Sequence, residues 1–231
     1  MFKPGRRGRK QESSMKSLLQ LRAAAVLLML TACDAALAQK WEIGGGAGGS
    51  FYTAKTVSRA NLTANAKFDS GWGATGYVGH NMYKLVGGEI RYSFLKNDAK
   101  LSSGSSQALF GANAHAIHYD VLLHATGVGS AIRPFVSVGG GIKVFQGTGR
   151  EVVAQPLGNL AFLTKTSEYK PLLTFGAGVK LNVSKRVGFR VEVKDYFSQF
   201  PKEVIAPASG SKLNGDWIHN FVAMVSVSLL L

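Results

Sequence analysis

The sequence predicts an all-β protein: an eight-stranded antiparallel up-and-down transmembrane β-barrel, preceded by a cleaved signal peptide. Three observations predict it. Apolar and polar residues alternate with period 2 in one stretch after another. The links between those stretches alternate long and short. The N-terminus has the anatomy of a secretory leader. Composition fits: the 231 residues suit one domain or two small ones, with 28 Gly and only 17% charged residues. Average proteins carry about 7% Gly and roughly 25% charged residues. Such a chain is not a disordered charged tail, and one cysteine rules out a disulfide scaffold.

The formal net charge is +14, which invites a nucleic-acid reading. Two facts oppose it. Beyond residue 38 the basic residues are scattered, with no run longer than Lys185-Arg186. Part of the excess also lies in the leader, where Lys3, Arg6, Arg7, Arg9, Lys10, Lys16 and Arg22 face only Glu12 and Asp34. No nucleic-acid partner is expected.

In the leader, residues 16–22 begin and end with a positive charge, residues 23–30 (AAAVLLML) are apolar, and small residues follow to Ala36-Leu37-Ala38. Cleavage is expected between Ala38 and Gln39, with Met15 as a candidate start. The apolar run is too short for a membrane helix, which needs about 20 residues. Leu30-Thr31-Ala32-Cys33 also resembles a lipidation signal. Cleavage at Ala38 would leave no cysteine in residues 39–231, hence no thiolate nucleophile, thiolate metal site or disulfide.

The eight strands follow in order. Residues 40–50 put Trp41 and Ile43 opposite Glu42, then turn glycine-rich. Residues 68–80 mix aromatics with Gly. Val86, Gly88, Ile90, Tyr92 and Phe94 oppose Gly87, Glu89, Arg91 and Ser93. Residues 107–124 place Ile117, Tyr119, Val121 and Leu123 opposite His118, Asp120 and His124. Val136, Val138, Gly140, Ile142 and Val144 oppose Ser137, Gly139, Gly141 and Lys143. Leu173, Phe175, Ala177, Val179, Leu181 and Val183 oppose Thr174, Gly176, Gly178, Lys180 and Asn182. Val187, Phe189, Val191 and Val193 oppose Gly188, Arg190, Glu192 and Lys194. From Trp217 onward, Phe221, Ala223, Val225, Val227, Leu229 and Leu231 share one face. Links at 51–67, 96–106, 147–167 and 198–216 are long; those at 80–84, 125–130 and 184–186 are short. Long outer loops and short periplasmic turns are the pattern of transmembrane barrels.

Alternation alone fits a soluble barrel, apolar inside, as well as a membrane barrel, apolar outside. The polar face decides. It carries Gly44, Gly46, Gly48, Gly87, Ser137, Gly139, Gly141, Gly176 and Gly178 beside its charges. An eight-stranded lumen is only wide enough for side chains to fill it, so long charged residues fit there if their neighbours are small. An open sheet edge in lipid would leave backbone groups unsatisfied. First and last strands therefore pair, and both termini are expected on the periplasmic side. Aromatics Trp41, Trp72, Tyr77, Tyr92, Tyr196 and Trp217 are expected in interface girdles.

The stretches GWGATGYVGHNMYKLVGGEIRYSF (71–94), RPFVSVGGGIKVF (133–145) and GFRVEVKDYF (188–197) resemble the OmpA-like eight-stranded outer-membrane β-barrel domain proteins. The resemblance covers residues 39–231 and implies outer-membrane location. It also implies insertion by the β-barrel assembly machinery, with Phe221, Val225, Val227, Leu229 and Leu231 as the C-terminal assembly signal. The family usually ends on an aromatic where this chain has Leu231. No peptidoglycan-binding domain is seen, so a cell-wall tether is not expected.

Parity sends Glu42, Glu89, Arg91, Asp120, Lys143, Lys180, Arg190, Glu192 and Lys194 into the lumen. Buried charges of mixed sign should pair, so a salt-bridged plug is expected there; a narrow solute channel is the alternative, and a soluble lipocalin-like carrier a third. His118, Asp120 and His124 share a strand face and offer acid–base or metal chemistry, against a plain lumen role. No serine elbow is present, and the triple glycines 44–46 and 139–141 precede no helix, so no phosphate site is expected. No enzyme activity, cofactor or metal is expected, and the chain is expected to be monomeric. Lys55, Arg59, Lys96, Lys100, Lys165, Lys202 and Lys212 in the long links suit lipopolysaccharide phosphates, or simply a solvated loop surface.

Overall fold

The computed structural model describes residues 40–231. The leader, with Ala36, Ala38, Gln39, Cys33 and Met15, lies outside the described residues. Sixteen strands follow one another: β1 (Trp41–Tyr52), β2 (Lys55–Arg59), β3 (Leu62–Phe68), β4 (Gly71–Asn81), β5 (Val86–Lys96), β6 (Ala99–Ser103), β7 (Ser106–Phe110) and β8 (Ala112–His124). Next come β9 (Ile132–Gly147), β10 (Ala161–Leu163), β11 (Ser167–Asn182), β12 (Val187–Gln199), β13 (Ile205–Pro207), β14 (Lys212–Leu213), β15 (Trp217–Ile218) and β16 (Asn220–Leu230). No helix occurs among the described residues.

Eight of these close a barrel in the order β1-β4-β5-β8-β9-β11-β12-β16, every neighbour antiparallel. β16 returns to β1 from Glu42↔Leu230 to Tyr52↔Asn220. Each barrel strand thus has a neighbour on both sides, as hydrocarbon requires of a spanning sheet. Ile43, Ile90, Ile117, Val136, Ile142, Val191 and Val225 point outward, Ile90 being 63% exposed. A soluble carrier would need the opposite orientation.

The long links are built, not loose. β2, β3, β6, β7 and β14 form one five-stranded sheet in the order β14-β2-β3-β6-β7, and β10 pairs with β13. The sequence alone predicts loops there because the alternating inward residues are mostly small, such as Ala64, Ala66 and Ala108, amid Asn, Thr and Ser. Three strand bounds are corrected. Phe68 belongs to the β2–β3 hairpin, and its barrel neighbour β4 starts at Gly71. Residues 107–110 belong to the β6–β7 hairpin, and Gly111 separates them from β8. The last strand is interrupted at His219. Gly104, with φ 56°, supplies the left-handed residue of the two-residue β6–β7 turn.

The interior has two storeys. Toward the short turns it is charged. Toward the long links it is apolar: Leu95, Ala112, Ala114, Phe145, Leu172, Val222 and Met224 from the barrel wall meet Val57, Phe68, Leu101, Phe110, Leu160, Leu163, Phe200, Val204, Ile205 and Ile218 from the outer strands and links. Trp41, Trp72 and Tyr92 face outward, 45–56% exposed. Tyr77 and Tyr196 do not: they are 3% and 0% exposed, inside the barrel. Tyr196 continues the inward parity of Arg190, Glu192 and Lys194, and Tyr77 that of Gly73 and Thr75.

Candidate functional site: the charged lumen

Adjacent strands carry the charges inward because each sits on the parity opposite its strand's Val and Ile. Glu42 (β1), Glu89 and Arg91 (β5), Asp120 (β8), Lys180 (β11), and Arg190, Glu192 and Lys194 (β12) all converge, each 6% exposed or less. Glu89 is the hub. Its Oε1 accepts from Arg91 Nε at 3.1 Å and Nη2 at 2.7 Å, and its Oε2 from Arg190 Nη1 at 2.7 Å. Arg91 Nη1 donates to Glu192 Oε1 at 2.5 Å. Glu42 Oε1 accepts from Arg190 Nη2 at 3.0 Å and from the Tyr77 hydroxyl at 3.3 Å, and Lys180 reaches its Oε2 at 2.5 Å. The Arg190 guanidinium lies 4.0 Å from the Tyr77 ring centroid, close enough for a cation–π contact.

A second group stands beside it. Lys194 Nζ donates to Asp120 Oδ2 at 2.5 Å and Ser137 Oγ at 2.9 Å. Asp120 Oδ1 accepts from Thr174 Oγ1 at 2.5 Å and contacts His118 Nδ1 at 3.0 Å. His118 Nε2 meets the Tyr196 hydroxyl at 3.1 Å, and that hydroxyl meets Ser93 Oγ at 2.9 Å. His124 is not part of this group. It bonds the Leu85 carbonyl at 3.3 Å and packs on Phe135. No three His, Cys, Asp or Glu residues group as a metal site among the described residues.

Lys143 stands apart. It is 0% exposed and has no carboxylate within 4.0 Å among the described residues. Its Nζ donates to Asn220 Oδ1 at 2.8 Å and lies 4.6, 4.9 and 5.6 Å from the rings of Tyr52, Phe145 and Tyr196. Arg133, Tyr77 and Tyr196 were not singled out as lumen polar groups, although parity marks them: Arg133 alternates inward with Phe135 and Ser137.

The glycines make the room. A Cβ on Gly176 would lie 2.7 Å from Lys194 Cγ; on Gly178, 2.7 Å from Glu192 Cβ; on Gly141, 2.7 Å from His118 Cβ. Each small residue faces a large one on the next strand.

Of the outer basic residues, Lys96 pairs with Asp98 at 3.1 Å, Lys100 with Asp69 at 3.3 Å and Lys202 with Asp216 at 2.7 Å. Arg59 donates to the Asn159 carbonyl at 3.1 Å. Burial alone would raise the Asp69 carboxyl, but hydrogen bonds and charge from Lys67 and Lys100 hold it below its ordinary value. Phe221, Val225, Val227 and Leu229 line the outer face of β16, and Leu231 exchanges backbone hydrogen bonds with Trp41.

Fold and lumen together define a membrane-spanning barrel of the outer-membrane type. The chain belongs to the outer membrane protein beta-barrel domain family, which matches residues 23–228. Its structure is similar to Neisserial surface protein A (10% identity, TM-score 0.51, covering 83% of this chain and 97% of that one). It is also similar to the outer membrane protein OprG of Pseudomonas aeruginosa (9% identity, TM-score 0.52, 84% and 97%). At such identities the likeness shows the fold alone. No curated protein matches.

Proposed function

We propose that the chain is a closed, non-enzymatic outer-membrane protein that presents a folded outer surface. One observation carries the reading. The outer storey of the lumen is filled by an apolar core and the inner storey is crossed by ion pairs, with Leu95, Phe145, Arg91, Arg190 and Lys143 all at 1% exposure or less. Side chains of that size leave no continuous aqueous path. The short turns and both strand termini lie at one end, which we assign to the periplasm; the five-stranded sheet then stands outside the cell. His118 and Asp120 act as buried structural partners, since no substrate reaches them. Lys55, Lys165 and Lys212 remain for lipopolysaccharide phosphates. Assembly proceeds through the barrel assembly machinery, read from β16, and the product is a monomer.

Planar-bilayer conductance tests this. The refolded chain is expected to give no steady channel. A stable, ohmic conductance from folded protein would replace this reading with the narrow channel.

A further inference from the structure

The short-turn end of the barrel carries exposed positive charge with no acid beside it. The three short turns span residues 82–85, 125–131 and 183–186 and contain no Asp or Glu. They contain Lys84, Lys185 and Arg186, and Lys40 enters β1 at the same end; all four are exposed. Backbone hydrogen bonds tie these segments into one rim: Asn81 N donates to Lys40 O at 2.7 Å, and Leu230 N to Arg186 O at 2.9 Å. Lys84 leans across the turn that has no charge of its own, since a Cβ on Gly127 would lie 3.1 Å from Lys84 Cε. Among the described residues none of the four forms an ion pair. The opposite end differs. The acids outside the charged lumen all stand in the long links or the strand ends beside them. There Asp69, Asp98 and Asp216 answer Lys67, Lys100, Lys96 and Lys202.

Position selects the partner. Trp41 follows Lys40, Tyr83 and Leu85 flank Lys84, and Val183 and Val187 bracket Lys185-Arg186. Trp41, Tyr83, Leu85 and Val183 are 40–73% exposed. Trp41, Val183 and Val187 continue the lipid-facing parity of Ile43, Leu181 and Phe189. The cations therefore stand just past the edge of the apolar band, at the depth of lipid headgroups. From there a Lys or Arg stem lies along apolar surface while its charge reaches the phosphates. A soluble acidic partner would gain nothing from that apolar border, whereas a phospholipid meets both parts of it.

We propose that Lys40, Lys84, Lys185 and Arg186 form a rim that binds the phosphates of anionic phospholipids and keeps such lipids around the short-turn end of the barrel. The inference rests on the orientation proposed above, in which this end meets the inner, phospholipid leaflet.

The test is native mass spectrometry of the refolded full chain, released from detergent micelles doped equally with phosphatidylglycerol and phosphatidylcholine. One Lys or Arg near an anionic lipid surface favours it by roughly fivefold, so retained phosphatidylglycerol should exceed phosphatidylcholine by at least about that factor. The preference should shrink as salt is raised. Lys40→Gln, Lys84→Gln, Lys185→Gln and Arg186→Gln, combined, should abolish it. The four side chains are exposed and unpaired, so this variant should keep the heat-shifted gel mobility of a folded barrel. Lys67→Gln with Arg150→Gln, at the long-link end, should leave the preference intact. The proposal alone is overturned by a folded barrel that retains both lipids equally, by a preference indifferent to salt, by a quadruple variant that keeps the parent's preference, or by its loss in the long-link variant. A parent chain without heat-shifted mobility would overturn the barrel itself. Labelling of Val128→Cys in intact cells by a membrane-impermeant maleimide would place the short turns outside and overturn the orientation together with the proposal.

Discussion

Replacing Glu89 by glutamine keeps the shape at the centre of the lumen and removes the charge. Glu89 accepts hydrogen bonds from Arg91 through Oε1 and from Arg190 through Oε2. Glutamine keeps one carbonyl acceptor and turns an NH2 group toward the other guanidinium. Removing one partner of a buried pair costs roughly 3–5 kcal/mol. Here Arg91 keeps Glu192 and Arg190 keeps Glu42, so we expect the loss to fall to about 2–3 kcal/mol, within the cost of leaving charged groups short of partners. In a domain of this size each kcal/mol moves the midpoint by roughly 2–4 °C, so the fall should be about 4–12 °C. The assay is the fraction of compact, fast-migrating protein that survives graded heating in detergent. Adding Arg190→Met should recover part of the loss, with a coupling of roughly 0.5–3 kcal/mol. A midpoint unchanged or raised by Glu89→Gln would refute the pairing argument.

Other perturbations have signs the structure fixes. Lys143→Met should raise the same midpoint by a few degrees, because a buried charge with no opposite charge beside it carries a desolvation penalty of several kcal/mol that nothing repays in full; a marked fall would show that the aromatic contacts outweigh desolvation. Tyr196→Phe should lower it, since His118 and Ser93 each lose a partner at roughly 1–3 kcal/mol for a buried group left unpaired. Gly178→Val should prevent recovery of the compact form, because a Cβ there meets Glu192 at 2.7 Å and Phe135 at 2.8 Å, whereas Gly76→Ala, with nothing nearer than 4.0 Å, should fold normally. The Asp69 carboxyl is held below its ordinary value of 3.8, so its contribution is present above that value and lost as pH falls through the lower, folded one. Amide exchange in β3 and β6 should therefore quicken below pH 3.8, and Asp69→Asn should reproduce that at neutral pH.

The barrel was legible because its signal is a parity. A period-2 alternation that runs for ten residues fixes which side chains share a face, and one misplaced residue would reverse them all. That is why Glu89, Arg91, Arg190 and Glu192 could be grouped before any distance was known. The outer storey was not legible. Ala64, Ala66 and Ala108 bury well but look neutral in a hydropathy pattern, so the outer hairpins read as polar links. Tyr77 and Tyr196 were misplaced because residue type was weighed above parity. Arg133 is hard to place from sequence because it is the second residue of its strand, beside a short turn, where parity has few residues behind it. Which cation each carboxylate takes, and that Lys143 takes none, depends on barrel stagger, which no single strand encodes.

Membrane extraction with gel mobility before and after boiling bears most directly on the central claim, an apolar face turned to lipid around a closed lumen. Such a barrel needs detergent for release and migrates faster unboiled than boiled. Release into the soluble fraction without detergent, with one mobility under both conditions, would contradict the orientation of every barrel strand.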